Sequence, residues 1–196
     1  MGKSDGREKH YVELAGDAVM KIFDEIPYIK DSTVTLKKIE DADAEALSEM
    51  VNDKDVYKYL PTFLFEKKYD DIHEVIKHLY DECFAAKESV ITGIYRNGKF
   101  CGIAELYGFK DDIHKISLGY RLSKKYWGMG IASEVVALLV DYLYSQTDTE
   151  IITASTMVEN HASARVLEKN GFALAVSAAD EDWGYAKPTK ADKWIR

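Results

Sequence analysis

Cysteine, proline and long apolar runs are scarce in this sequence. The 196 residues include two cysteines and three prolines. Two cysteines are too few for a disulfide framework. No run approaches the roughly 18 apolar residues of a membrane-spanning helix, and residues 1–10 lack the apolar stretch of a signal peptide. We therefore expect a cytoplasmic protein without a membrane partner.

Positive charge is scarce as well. The chain has 26 Lys and Arg residues against 34 Asp and Glu residues, which gives a net charge of −8. Binding to nucleic acid needs a basic surface that follows the phosphates, so we expect no nucleic-acid partner. The five histidines are scattered along the chain, and neither cysteine has a partner at the spacing of metal ligands. We therefore expect no metal site.

The residues that are present suffice for one domain with a core. Apolar residues make up 46% of the chain and charged residues 31%, which is ordinary for a globular protein. Apolar residues at helical spacing from Tyr11 to Phe23, followed by Pro27, predict a first helix. We divide the chain into an N-terminal helical extension, residues 1–30, and one domain, residues 31–196.

The order of the remaining elements predicts an α/β fold. Alternating or β-branched runs predict strands at 33–39, 89–96, 99–109, 114–122, 150–158, 172–177 and 190–195. Apolar periodicity predicts helices that begin near 42, with Asp41 as N-cap, and at 72–83, 131–144 and 160–170. Asn97-Gly98 predicts a hairpin, and the helix after residue 130 predicts one parallel pairing. The expected architecture is a single mixed, mostly antiparallel twisted sheet flanked by helices.

The loop at residues 124–130 carries the strongest functional signal. A predicted strand runs into Gly128-x-Gly130, and a helix begins directly afterwards. The first N–H groups of a helix lack intrahelical acceptors and lie at the positive end of its dipole. Glycine lets the backbone approach a ligand closely. The loop therefore predicts an anion cradle suited to a pyrophosphate, with Lys124 and Lys125 adding positive charge beside it.

This loop alone does not identify the ligand. After Gly130 the sequence completes neither the dinucleotide fingerprint G-x-G-x-x-G nor the P-loop pattern. A purely structural turn and a nucleotide-binding α/β protein both stay open at this point.

Two motifs together resemble the GNAT superfamily of N-acetyltransferases. The first is Lys125-Tyr126-Trp127-Gly128-Met129-Gly130, and the second is the run from Asn160 to Phe172, N-H-A-S-A-R-V-L-E-K-N-G-F. They are most similar to the branch of ribosomal-protein N-terminal alanine acetyltransferases. The resemblance implies the GNAT fold, with acetyl-CoA as co-substrate and an amine as acceptor.

The resemblance also implies roles for single residues. The strand before the loop would bind the pantetheine arm, the loop the pyrophosphate, and the second motif the arm near the thioester. The implied cofactor-binding residues are Tyr120, Arg121, Leu122, Tyr126, Trp127, Gly128, Met129, Gly130, Ile131, Ala132, Asn160 and Ser163. Residues 56–69 would form part of the acceptor wall. By residue type alone, Asn160 is equally typical of an ordinary N-cap.

The chemistry requires a base and a proton donor. Glu105 lies in an otherwise apolar strand, where a carboxylate is costly unless it is paired or faces a cleft. Burial there would raise its pKa toward a useful value. Many family members have a tyrosine seven residues after the asparagine, and this chain has Leu167 there. We predict Glu105 and Ser163 as catalytic residues, with Tyr107 as a weaker base candidate. A solvated sheet face or a structural ion pair is the other interpretation of Glu105, and water is the alternative to Ser163 as proton donor.

The predicted function is transfer of an acetyl group from acetyl-CoA to a primary amine by direct attack on the thioester. The amine belongs to a peptide or protein N-terminus or to a small molecule. A non-catalytic acyl-CoA-binding module is the alternative, motivated by the leucine at position 167. The added N-terminal helix makes a homodimer a further expectation.

Overall fold

A computed structural model describes residues 21–59, 70–183 and 185–196. The helix predicted from Tyr11 lies outside these ranges, apart from a 3-10 turn at Lys21–Phe23. Most of the predicted acceptor wall, residues 60–69, lies outside them as well. Among the residues that are described, no helix is both long enough and apolar enough to span a bilayer.

Over these ranges the chain forms eight strands and four α-helices. The strands are β1 (Ile29–Lys30), β2 (Val34–Lys37), β3 (Ser89–Arg96), β4 (Lys99–Lys110), β5 (Lys115–Leu122), β6 (Ile151–Met157), β7 (Ala173–Glu181) and β8 (Thr189–Ile195). The helices are α1 (Ala44–Val51), α2 (Ile72–His78), α3 (Ile131–Gln146) and α4 (His161–Lys169).

All eight strands belong to one sheet in the order β1-β2-β3-β4-β5-β6-β8-β7. Every pairing is antiparallel except that of β5 with β6, which α3 connects. The turn between β3 and β4 has φ of 51° at Asn97 and 77° at Gly98, as a type I′ hairpin requires. The predicted mixed sheet with a single parallel pairing is confirmed.

Three local predictions differ from the structure. Glu40, and not Asp41, is the N-cap of the 3-10 turn that leads into α1, because its N–H donates to the Asp43 carboxylate at 3.0 Å. The predicted helix over 72–83 changes at Leu79 into a π-helix, Leu79–Phe84, whose wider turn buries Leu79 and Tyr80 together. Strand β7 continues to Glu181, well past residue 177.

The two faces of the sheet pack against different helices. Leu118 and Leu122 of β5 join the core formed with α3 and α4. Ile103 of β4 joins the core formed with α1 and α2, and we call this side the α1 face. Side chains alternate along a strand, and Glu105 lies two residues from Ile103. Glu105 therefore points to the α1 face, as does Arg121, which pairs directly with Ile103.

Strands β5 and β6 separate soon after they begin to pair. Their parallel ladder consists of Lys115–Ile151, Ile116–Ile152 and Ser117–Thr153, and no pairing follows. We call the resulting gap, between residues 118–122 of β5 and 154–157 of β6, the splay. The Ser123 N–H donates to the Cys101 carbonyl at 2.9 Å, so odd-numbered residues of β5 bond to β4. The N–H and C=O of Tyr120 consequently face the splay.

Candidate active site

The loop between β5 and α3 has the backbone conformation of an open turn. Gly128 and Gly130 have φ of 74° and 81°, a region that side-chain-bearing residues rarely adopt. No heavy atom lies within 4 Å of the position that a Cβ would occupy at either residue. The two glycines are therefore needed for the direction of the chain, and they leave the space in front of it empty.

The first N–H groups of α3 and of the turn before it point into this space. Within the described ranges, the N–H groups of residues 128–132 have no acceptor. The next two, of Ser133 and Glu134, both donate to the Gly130 carbonyl, at 3.0 and 3.2 Å. Residues 127–130 are exposed, so the protein's own side chains do not fill the turn. A run of free donors at a helix N-terminus is suited to binding an anion.

Two of the predicted cofactor residues belong to the framework of this loop. The N–H groups of Tyr126 and Trp127 donate to the carbonyls of Ser123 and Lys124, at 2.9 and 3.1 Å. The Trp127 indole N–H donates to the Leu122 carbonyl at 2.8 Å. These bonds fix the loop against the end of β5. The N–H groups of residues 126 and 127 are therefore not available to a ligand, and the available donors begin at residue 128 and not at residue 126 as predicted.

The charges beside the loop also differ from the prediction. Lys124 forms an ion pair with Asp55, and Lys125 lies 3.4 Å from the Glu49 carboxylate. Both lysines are thus drawn toward acidic residues in and after α1. Arg96, at the end of β3, instead donates to the Met129 carbonyl at 3.4 Å. No signal in the sequence indicated Arg96, because its contact depends on how β3 lies beside the loop.

The second motif lies at the same end of the sheet as the loop. Strands β5 and β6 are parallel, so the loop after β5 and the N-terminus of α4 after β6 both flank the open end of the splay. Asn160 is the N-cap of α4, and its Oδ1 accepts from the Ser163 N–H at 3.2 Å. The interpretation of Asn160 as a helix cap is thereby confirmed, and its side-chain amide nitrogen remains for other contacts.

A tyrosine from β5 reaches Ser163. Burial raises the pKa of Tyr120 to about 12, and the nearby Ser163 hydroxyl acts in the opposite direction. Leu167, at the position of the family's tyrosine, is buried in the core beneath α3 and α4. A phenol near the N-terminus of α4 is therefore supplied by Tyr120 of β5, and not by a residue of α4.

Glu105 is the carboxylate with the strongest signs of a catalytic environment. It is half-buried, and within the described ranges it has no hydrogen bond and no ion pair. Burial raises its pKa, and the positive charge of Arg121 acts in the opposite direction. Gly119 lies directly across from it on β5, so no side chain separates Glu105 from the β5 edge of the splay.

Arg121 lies beside Glu105 on the α1 face, away from the splay. Its guanidinium is buried, donates to the Tyr57 hydroxyl at 3.4 Å and lies 5.3 Å from the centre of that ring. As an odd-numbered residue of β5, it also bonds to β4 through its backbone. Arg121 thus lies on the α1 face with its backbone bonded to β4, and its role as a cofactor ligand stays a prediction.

In the part of the chain that the structure covers, no three His, Cys, Asp or Glu side chains come together as metal ligands.

Comparison with known proteins identifies the class of protein to which this geometry belongs. The family described as Acetyltransferase (GNAT) domain matches residues 33–173. The uncharacterized N-acetyltransferase YoaA of Bacillus subtilis is 27% identical over 152 residues, which are 74% of this chain and 82% of YoaA. The chain therefore belongs to the GNAT family and is an acetyl-CoA-dependent N-acetyltransferase.

Solved structures share the fold at low sequence identity. RimL, a ribosomal L7/L12 alpha-N-protein acetyltransferase in complex with coenzyme A, has a TM-score of 0.74 at 17% identity, covering 87% of this chain and 97% of its own. A spermidine N-acetyltransferase from Vibrio cholerae, in complex with CoA and spermine, has a TM-score of 0.69 at 17% identity, covering 85% and 96%. The two neighbours thus carry different acceptors on one architecture.

Proposed function

We propose that this chain acetylates a primary amine by direct attack of that amine on the thioester of acetyl-CoA. The observation that carries the proposal is the row of free N–H groups at residues 128–132, which opens beside the splay. Those groups bind the diphosphate of the cofactor. The pantetheine arm lies in the splay, where it bonds to the backbone of Tyr120 and passes Asn160.

Glu105 accepts the proton of the attacking amine. An α-amino group has a pKa near ~8, whereas a lysine side chain near ~10.4 is about three units from neutral pH, a population cost of roughly 4 kcal/mol. The raised pKa of Glu105 makes this carboxylate a better base than an exposed one. The amine nitrogen bonds to the acetyl carbon, its proton goes to Glu105, and the bond between carbon and sulfur breaks.

Ser163 donates a proton to the departing thiolate. Its hydroxyl lies at the N-terminus of α4 near the Tyr120 hydroxyl, and in this proposal Tyr120 passes its proton to Ser163 as Ser163 gives its own proton to the sulfur. The tyrosine regains its proton from water. This arrangement supplies the proton that the family's missing helix tyrosine would supply, since Leu167 has none to give.

The acceptor amine is a peptide N-terminus or a small molecule, and both kinds occur among the structural neighbours. RimL is described as acting on a ribosomal protein α-amine, and the Vibrio cholerae neighbour as acting on spermidine. A cytoplasmic location, a homodimer and the absence of nucleic-acid partners complete the proposal.

The test is release of free CoA thiol from acetyl-CoA in the presence of a panel of primary amines. We expect thiol release that depends on the amine, and we expect Glu105→Gln to lower kcat by roughly 100-fold or more with an unchanged Kd for CoA. Glu49→Gln is the matched control, because Glu49 is an exposed carboxylate paired with Lys125.

Two results would contradict the proposal. Binding of CoA without thiol release for any amine would favour the non-catalytic module. Equal kcat for Glu105→Gln and Glu49→Gln would remove Glu105 from the reaction.

A further inference from the structure

Two buried polar groups near the end of β7 lack a hydrogen-bond partner among the residues that the structure describes. The Trp183 indole N–H has no acceptor within the described ranges, although the side chain is only 8% exposed. The Glu181 Oε2 atom is buried and also unpartnered, whereas Oε1 accepts from Lys193 at 2.5 Å and from Ser155 at 3.4 Å. Leaving buried polar groups unsatisfied destabilises a protein, so their presence needs an explanation.

Both groups lie on the α1 face, on the β6 side of the splay. Ser155 follows Thr153, the last β6 residue that pairs with β5, by two positions and so shares its face. The Glu181 carboxylate contacts Ser155, and Trp183 packs against Met157, two residues further along β6. Glu105 faces the splay from its other side.

Tyr107 of β4 lies near carboxylates on both sides of the splay. Its pKa is raised mainly by burial and further by the negative charges of Glu105 and Glu181, so both carboxylates lie near one phenol. Neighbouring paired strands are about 5 Å apart, and β4 and β6 are further apart than two such spacings at the level of Glu105, because β5 and β6 no longer pair there. Gly119, which has no side chain, lies on β5 across from Glu105 and leaves the α1 face open on this side of the splay.

We propose that Trp183 and Glu181 bind the first peptide unit of the acceptor, and that the acceptor is therefore a peptide N-terminus. The Trp183 N–H donates to the carbonyl of the acceptor's first residue, and Glu181 Oε2 accepts from the N–H of its second residue. The α-amine then lies between Glu105 and the thioester. This inference rests on the proposed acetyl transfer and specifies its substrate class.

The pairing of one donor with one acceptor separates the substrate classes. A peptide unit offers an acceptor and a donor side by side, and it satisfies both groups. A polyamine or a lysine side chain offers only N–H donors and methylene groups, and it would leave the Trp183 N–H buried without an acceptor. A site that hydrogen-bonds its substrate discriminates strongly against analogues that lack the matching groups.

Access to these groups requires a movement of one side chain. Tyr59, in the segment after α1, packs against the cluster of Met157, Trp183 and Ala191. Both unpartnered atoms are closed to water in this arrangement. The acceptor displaces the Tyr59 ring when it binds.

The experiment compares three substrates with the full chain and acetyl-CoA: a tetrapeptide with a free N-terminus, the same peptide with an ester in place of the first amide, and spermidine. We expect kcat/KM to be at least 10-fold higher for the peptide than for spermidine. The ester lacks the N–H that Glu181 accepts, so we expect it to lower kcat/KM by roughly 3- to 10-fold. This comparison needs no variant.

A variant tests the other hydrogen bond. Trp183→Phe removes the N–H and keeps the aromatic packing, and we expect it to raise KM for the peptide by roughly 3- to 10-fold. Tyr144→Phe is the control, because Tyr144 is an exposed residue of α3. Trp183→Phe is compared only if its melting temperature matches that of Tyr144→Phe.

The outcomes separate this inference from the proposed function. Acetylation of spermidine as efficient as that of the peptide, or equal kcat/KM for amide and ester, overturns the inference and leaves acetyl transfer intact. No thiol release with any of the three substrates overturns the acetyl-transfer proposal itself.

Discussion

Gly130→Ala is a small change that tests the cofactor cradle directly. The alanine Cβ meets no heavy atom within 4 Å, so it introduces no clash with the rest of the protein. The cost arises in the backbone, because φ is 81° and a residue with a side chain pays about 1–2 kcal/mol in the left-handed region. Either the folded state bears this cost, or the turn rotates to avoid it.

Rotation of the turn would weaken the binding of the cofactor. A negative φ at residue 130 swings the N–H groups of residues 130 and 131 away from the anion. Alanine can still restore the cradle around the bound anion by bearing the strain of about 1–2 kcal/mol, so the loss of binding free energy does not exceed that strain. We therefore expect the Kd for CoA, measured by isothermal titration calorimetry, to rise roughly 5- to 30-fold.

Gly98→Ala is the matched control for this experiment. Gly98 has φ of 77° and no heavy atom near the position of a Cβ, but it lies in the hairpin between β3 and β4. Its backbone cost is the same, and its N–H is not part of the cradle. If Gly130→Ala both melts at the wild-type temperature and binds CoA with the wild-type Kd, or if Gly98→Ala weakens CoA binding equally, the N–H groups of the cradle do not hold the diphosphate.

Two further predictions concern the catalytic residues. Because burial raises the pKa of Glu105, the folded state retains a proton that the unfolded state loses, and stability falls as pH rises from about 4.5 to the raised value. Glu105→Gln should therefore melt at a higher temperature than the wild type at pH 8 and at the same temperature at pH 4; an equal difference at both pH values would show that Glu105 ionises normally. Ser163→Ala should lower kcat while leaving melting and the Kd for CoA unchanged, because Asn160 caps α4 through the backbone N–H of residue 163, which alanine keeps. Unchanged kcat in a stopped-flow thiol assay would exclude Ser163 as the proton donor.

The features that the sequence predicted well are those with a local physical cause. Asn97-Gly98 defines its own turn, and Gly171, with φ of 76°, ends the segment that begins at Asn160. The strand-glycine-helix order around residue 130 likewise specifies a free helix N-terminus without reference to the rest of the chain. These signals, with two motifs, were sufficient for the fold and for the run of N–H groups without an acceptor in the loop before α3.

The features that it missed depend on contacts between distant segments. Lys125 and Glu49 are 76 residues apart in the sequence, and Arg96 and Met129 are 33 apart, so no local pattern predicts either contact. The prediction for Glu105 came from one charge in an apolar strand, but its lack of partners follows from Gly119 on the next strand. The unpartnered atoms of Glu181 and Trp183 become apparent only once β6, β8 and β7 are aligned in the sheet.

Three residue pairs are all that join β5 to β6, so the eight-stranded sheet consists of two wings, one of five strands and one of three. Beyond that short seam, the main-chain groups of Tyr120 have no strand beside them. In the proposed complex, an acyl-pantetheine arm in the gap hydrogen-bonds to these groups and bridges the two wings. On this proposal the thioester is a temporary part of the sheet as well as a reagent, and each turnover removes and replaces a piece of the fold.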